Sequence, residues 1–354
     1  MASPKGTSSA ARIEDDWYVL AESCELGDAP IQRELYGTPI VLFRSHGKAC
    51  AFIDRCPHRN VPLSIGRVCD GALECGYHGW RFDASGRCVA VPGLRGPVDR
   101  ESRRANARAV VEVGGHIWVY GKEGSPVRAP FSVPHWDDPR YSTVRHVIDL
   151  EGTVHAVAEN ALDVPHTAFL HRGLFRGTSE PRAIDVRVRR FGDRAEAEYI
   201  GESAPTGLLG RVLAPGGGEV VHFDRFILPS IAQVEYRIGD DSHVVATTAL
   251  TPVRDHQTRM FASVSFRLPF LPGRRFGERV GQLLKPLALR VLGQDAVVLR
   301  AQRETIARFG GERYASTELD ALGPSILRLL RSAERGGRGG PELVREESLE
   351  MRVG

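Results

Sequence analysis

Cys56-Pro57-His58 and, with sixteen residues between, Cys75-Gly76-Tyr77-His78 decide how the first third of this chain folds. Two thiolates and two imidazoles at that spacing can hold a [2Fe–2S] cluster unsymmetrically, with the cysteines on one iron and the histidines on the other. Neutral histidine in place of thiolate makes such a cluster less negative and easier to reduce. Turn residues border both pairs: Arg59-Asn60-Val61-Pro62 follows His58, and Gly79-Trp80 follows His78. Strand-like Phe52-Ile53 and Trp80-Arg81-Phe82 lie outside them, so the pairs read as two loops on a β-domain. Gly76 and Gly79 let backbone N–H groups approach the cluster sulfurs closely. Zinc modules pair Cys with Cys and His with His, whereas each loop here contributes one of each.

The pattern resembles a Rieske centre. Rieske proteins of respiratory complexes carry a further cysteine in each loop, joined as a disulfide, and a serine that helps raise the potential. This chain has Val61, Tyr77 and Trp80 at those places, which resembles the lower-potential, oxygenase-like branch.

A length of 354 residues with 42% hydrophobic and 26% charged content fits two globular domains rather than one. The net charge is only +3, and no Lys/Arg block is interleaved with aromatics, so nucleic-acid binding is not signalled. Arg187-Val188-Arg189-Arg190 reads as a solvated strand face. No apolar stretch is long enough for an integral membrane segment, and the N-terminus lacks an apolar h-region, so a cytoplasmic protein is expected. Cys24, Cys50, Cys69 and Cys88 have no regular disulfide spacing and read as reduced thiols. No G-x-G-x-x-G sits between a strand and a helix, so NAD(P)H electrons must arrive through another protein.

Residues 1–13, rich in Ser, Ala and Gly, are expected to be disordered. An all-β cluster domain follows over 14–122, a Pro/Gly-rich linker over 123–140, a second domain over 141–333 and a glycine-rich flexible tail over 334–354. Strands are expected at Pro39–Phe43, Ala51–Ile53 and His116–Tyr120. In the second domain they are expected near residues 143–150, 184–188, 195–200, 220–227, 231–238, 244–251 and 260–267. A long helix is expected from about Arg275 to Phe309. The fold class is α+β.

Asn160-Ala161-Leu162-Asp163-Val164-Pro165-His166 runs on to His171. On a regular helix His166 and His171 would stand roughly 140° apart, so one metal could not collect both. A π-type bulge or a break between them is therefore expected, and Pro165 also opposes an unbroken helix. Two histidines and a carboxylate form a facial triad that leaves positions on ferrous iron open for O2. Asp295, between apolar positions of the late helix, is the candidate carboxylate, with Asp320 and Glu304 as rivals.

Over about residues 16–310 the chain resembles the catalytic α-subunit of Rieske non-haem iron oxygenases, in the α-only group. The resemblance implies a Rieske domain followed by an antiparallel-sheet-plus-helix (helix-grip, START-like) catalytic domain. It implies Cys56, His58, Cys75 and His78 on the cluster, and His166, His171 and Asp295 on mononuclear Fe(II). Asp163 is then a bridging carboxylate between His166 and His78 of a neighbouring subunit in a homotrimer, and Asn160 lies near the iron. A separate ferredoxin or flavin reductase would supply electrons, docking near Arg55, Arg59, Arg67 and Arg81. The expected reaction is monooxygenation, by hydroxylation or oxidative demethylation, of a hydrophobic, sterol-like polycyclic or aromatic substrate. Phe223–Ile227, Val264–Phe266 and Thr206–Leu209 are expected to line its pocket. A desaturase or dihydroxylating oxygenase remains open, as does a Rieske electron carrier fused to a non-catalytic ligand-binding domain, or a binder with a vestigial cluster.

Overall fold

Ile40-Val41-Leu42-Phe43 is apolar at every position, the mark of a strand covered on both faces. The computed structural model describes residues 8–171, 182–202, 218–239, 242–268 and 274–353. In it Ile40 and Leu42 pack with Tyr18, Leu20, Ile117 and Val119. Val41 and Phe43 turn the other way, to Phe52, Leu63, Leu73 and Phe82. Cys56 and Cys75 belong to this second cluster, so both loops are rooted in an apolar core.

Three small sheets build this unit, which runs from Ile13 to Ser132. One contains β1 (Trp17–Glu22), β10 (Val110–Val113) and β11 (His116–Tyr120). The next contains β2 (Ile31–Leu35), β3 (Thr38–Ser45), β4 (Lys48–Ile53) and β9 (Ala107–Arg108). The third contains β5 (Arg67–Cys69), β6 (Ala72–Glu74), β7 (Arg81–Phe82) and β8 (Cys88–Ala90). The unit reaches beyond residue 122, into the expected linker: the Arg128 carbonyl accepts the Trp17 Nε1–H at 2.7 Å.

The second unit is an eight-stranded sheet in the order β12-β18-β17-β16-β15-β14-β13-β19. Its strands are β12 (Ser142–Leu150), β13 (Arg182–Phe191), β14 (Arg194–Ile200), β15 (Val220–Ile227), β16 (Ile231–Ile238), β17 (Ser242–Arg254), β18 (Gln257–Arg267) and β19 (Leu343–Val353). Every pair is antiparallel. Helices α1 (Val154–Leu162), α2 (Thr167–Leu170), α3 (Arg274–Phe309) and α4 (Gly323–Glu334) complete it. The Thr153 hydroxyl starts α1 by accepting the Ala156 N–H at 3.1 Å. α1 packs on β15, β16 and β17, and α3 packs on β12. A Cβ on Gly281 would collide with Val144, so this glycine lets α3 approach the sheet. Among the described residues, no helix is long and apolar enough to cross a membrane.

Two expectations about the termini are corrected. Residues 8–12 are ordered with the second unit: Ser9 is buried, and its hydroxyl lies 2.7 Å from that of Thr153. The stretch 334–354 is not a flexible tail, because Leu343–Val353 forms β19 and pairs with β13 along its length. An edge strand that is mostly exposed can be charged on one face, and this one is, which hides it from a hydrophobic pattern. Arg189, expected to be solvated, pairs with Glu196 at 3.0 Å, Glu198 at 2.6 Å and Glu346 at 3.0 Å.

Candidate metal centres

The two cluster loops are backbone copies of each other. Cys56 N–H donates to the Val61 carbonyl at 2.8 Å and Asn60 N–H to the Cys56 carbonyl at 2.9 Å. Cys75 N–H donates to the Trp80 carbonyl at 2.8 Å and Gly79 N–H to the Cys75 carbonyl at 3.0 Å. Asn60 and Gly79 both take the left-handed conformation, at φ 62° and 67°. Sequence reading singled out only the glycine, although Asn also tolerates that region. Arg55 Nε–H donates to Asn60 Oδ1 at 2.7 Å. Buried Asp54 braces the first loop by accepting the Ser64 N–H at 2.7 Å and hydroxyl at 2.6 Å.

Cys56 and Cys75 are 2% and 3% exposed, and neither is in a disulfide. Burial pushes the Cys56 thiol up to about 11, the His58 N–H opposes the rise, and the adjoining Cys75 adds to it. The His58 and His78 rings stand 4.6 Å apart at 64°, and Trp80 stacks on His58 at 4.6 Å and 5°. Paired buried thiols, N–H groups of His58 and Arg59 directed at the Cys56 sulfur, and two adjacent imidazoles fit a Rieske cluster. The expected basic patch is weaker than four arginines suggest. Glu74 is shared by Arg67 at 2.7 Å and Arg81 at 2.7 Å.

The second site forms where α1 stops. Asp163 is extended at the C-terminus of α1, Pro165 follows, and α2 then occupies the interval between His166 and His171. The break thus falls upstream of His166, not between the histidines. They converge because each caps one end of a single short helix.

His166 Nε2 and His171 Nε2 are 3.2 Å apart. Asp295 Oδ1 lies 3.1 Å from His171 Nε2 and 3.7 Å from His166 Nε2. Ligand atoms about 2.1 Å from one metal and at right angles stand about 3.0 Å apart, so this spacing fits a facial triad. Among the described residues these three are the one His/Cys/Asp/Glu group within mutual reach of a metal. Glu304 is exposed farther along α3, and Asp320 accepts the Thr317 N–H at 2.6 Å.

Neighbouring groups prepare the triad. Gln294 Oε1 accepts from His171 Nδ1 at 2.9 Å, a bond that orients the ring so that Nε2 is the nitrogen offered to a metal. Asn160 Nδ2–H reaches Asp295 Oδ1 at 3.4 Å, so Asn160 contacts the carboxylate. Asp163 Oδ2 stands 3.6 Å from His166 Nδ1, an ionic contact too long for a hydrogen bond. Burial opposes protonation of His166, but Asp163 and Asp295 together lift it to about 9, so the site attracts a cation. The sequence did not mark Gln294 as a partner of His171; its position beside Asp295 was the available signal.

A third cluster was not foreseen. His222, 1% exposed, is stacked between Tyr199 at 4.4 Å and Tyr236 at 4.0 Å. Its Nδ1 lies 2.7 Å from Glu202 Oε2 and its Nε2 3.0 Å from Asp224 Oδ1. Burial opposes its charge, yet Asp224 and Glu202 raise it to about 9. Of the expected pocket segments, Asp224, Phe226, Val264 and Phe266 share the face of His222, while Phe223, Arg225 and Ser265 take the other. Thr206–Leu209 lies outside the described residues.

Family models match in two places: the Rieske [2Fe-2S] domain over residues 16–137 and the vanillate O-demethylase oxygenase C-terminal domain over 150–336. The oxygenase component of dicamba O-demethylase from Stenotrophomonas maltophilia is 34% identical over 362 residues, covering 96% of this chain and 98% of that one. Chlorophyllide a oxygenase from Chlamydomonas reinhardtii is 28% identical over 326 residues. There the match covers 88% of this chain but only 47% of the relative, so this chain spans about half its length. The crystal structure of dicamba monooxygenase bound to dicamba superposes with a TM-score of 0.77 at 26% identity, over 92% of this chain and 98% of that one. The cluster loops, the histidine–carboxylate triad and these likenesses agree: the chain belongs to the Rieske non-haem iron oxygenases, as an oxygenase subunit with a Rieske [2Fe–2S] cluster and mononuclear iron.

Proposed function

We propose that this chain is the terminal oxygenase component of a system that takes NAD(P)H electrons through a separate ferredoxin or flavin reductase. With O2 it hydroxylates or oxidatively demethylates an apolar aromatic or polycyclic substrate. The observation that carries this reading is the convergence of His166 Nε2, His171 Nε2 and Asp295 Oδ1, in a chain that also presents the paired Cys/His loops.

Cys56, His58, Cys75 and His78 would hold the cluster, and His166, His171 and Asp295 the iron. When bound, these centres supply one-electron transfer and oxygen activation. The chain's own residues prepare them. Gln294 orients the His171 ring, and Asn160 steadies the Asp295 oxygen nearest both imidazoles. Apolar Val234, Val244, Ala246 and Val264 on the sheet face give substrate a dry surface.

A head-to-tail homotrimer belongs to this reading, with Asp163 joining His166 to His78 of the next subunit. Its support is that the Asp163 side chain keeps 33% of its surface beside His166 and that His78 is exposed. Cytoplasmic placement is also proposed, in keeping with six free cysteines.

Metal analysis tests the reading. The oxygenase requires about three irons and two acid-labile sulfides per chain, and an electron carrier about two of each. Incubation with reductase, candidate substrates and labelled O2 then shows whether label enters product. Two irons per chain with a normal cluster spectrum would refute the reading.

A further inference from the structure

Trp80 lies flat on His58, with ring centroids 4.6 Å apart and planes within 5°. Its indole also packs on the apolar core that roots both cluster loops, and its carbonyl accepts the Cys75 N–H at 2.8 Å. Stacking, packing and backbone pairing therefore hold one face of the His58 imidazole against a fixed surface. The indole has a second partner. The Arg103 guanidinium carbon stands 6.0 Å from its centroid, within reach of a cation–π contact. Arg103 ends the short 3-10 turn Glu101–Arg103, and its Nη1 donates to the Pro97 and Val98 carbonyls, each at 3.1 Å. Those bonds restrain the long side chain. The segment that leads to it passes close to the second loop, since a Cβ on Gly79 would stand 3.1 Å from Pro92.

Guanidinium, indole and imidazole thus form one connected file that ends on His58. Reduction adds one negative charge to a [2Fe–2S] cluster, and a cation held nearby favours the reduced state. Arg103 differs from the other arginines around the loops. Arg67 and Arg81 both lie on Glu74, each at 2.7 Å, and Arg59 is exposed, so their fields are matched by a carboxylate or screened by water. Arg103 is half-buried and bonded to neutral carbonyls, while its acidic neighbours Asp99 and Glu101 stand 3.9 Å from Arg87 and Arg104. Trp80 contributes by putting an apolar ring where water would otherwise cover His58, and less water means weaker screening of the charge behind it.

We infer that Arg103, held over Trp80, is a positioning residue that raises the reduction potential of the cluster from outside its ligand set. This rests on the reading above that His58 is a cluster ligand. The test is a potentiometric titration of the holoenzyme at fixed pH and low salt, followed by the visible absorbance of the cluster. Arg103→Gln shifts the equilibrium with a fixed mediator toward the oxidised cluster by about three- to tenfold, and tenfold corresponds to about 59 mV for one electron. Arg103→Lys keeps the charge and recovers at least half of that shift. Arg104→Gln removes the neighbouring charge and moves the potential less than half as far. Arg103→Met takes the place of the glutamine variant should that one lose its cluster. An unmoved potential in Arg103→Gln, no recovery by lysine, or an equal shift in Arg104→Gln overturns the inference. Nitrogen couplings in the EPR spectrum of the reduced cluster test the ligand reading separately. Couplings present beside an unmoved potential sink only the role of Arg103, whereas their absence removes histidine from the cluster and the inference with it.

Discussion

Gln294 Oε1 lies 2.9 Å from His171 Nδ1, and the other nitrogen of that imidazole faces His166 and Asp295. Adjacent residues of α3 thus serve the same centre, Asp295 as a ligand and Gln294 through the orientation of another ligand. Gln294→Leu should lower iron affinity by roughly 10- to 100-fold and leave the cluster absorbance intact. Iron titration of apoprotein checks this, and unchanged affinity would show that the hydrogen bond is incidental.

Asp163 contacts His166 on the side away from the triad, at 3.6 Å. Asp163→Asn removes its charge and keeps its shape. Iron and sulfide contents should match wild type, dithionite should still reduce the cluster, and product formation should fall by about 100-fold. Wild-type turnover in the variant would remove Asp163 from electron delivery.

Asn60 is the non-glycine member of the paired left-handed positions. Asn60→Gly should keep the cluster and stay close to wild-type stability. Asn60→Val should cost about 1–2 kcal/mol and loosen the first loop, because β-branched residues resist positive φ. Thermal unfolding together with loss of visible cluster absorbance distinguishes the two variants.

His222 makes stability depend on pH. Its folded value of about 9 exceeds the ordinary 6.5 because Asp224 and Glu202 outweigh burial. A raised value means that the folded chain holds the proton more tightly. The stabilisation is complete below about pH 6.5 and is lost as pH rises toward 9, up to roughly 3 kcal/mol in all. Urea midpoints across that window should fall in wild type and flatten in His222→Gln. Parallel curves for the two proteins would contradict this.

Much of this architecture is legible in the sequence where one residue's neighbours in the chain are also its neighbours in space. The cluster loops, the sheet strands and the α3 helix were readable because their patterns are local. The meeting of His166 and His171 was foreseen, but the position of the break was not, because Asp163 leaves the helix before Pro165 rather than after it. The His222 island was hidden because Tyr199, His222 and Tyr236 come from three strands that only register brings level. β19 was missed because Met351 is its one buried apolar residue among those described, Leu349 is only half-buried, and a glycine run precedes it.

The last eleven-residue strand is also a seal. Leu343–Val353 occupies the hydrogen-bonding row of β13 that would otherwise be bare, and an uncovered row of this kind recruits other chains. A premature stop codon near residue 340, or a protease nick there, should therefore yield protein that self-associates rather than a slightly shorter enzyme.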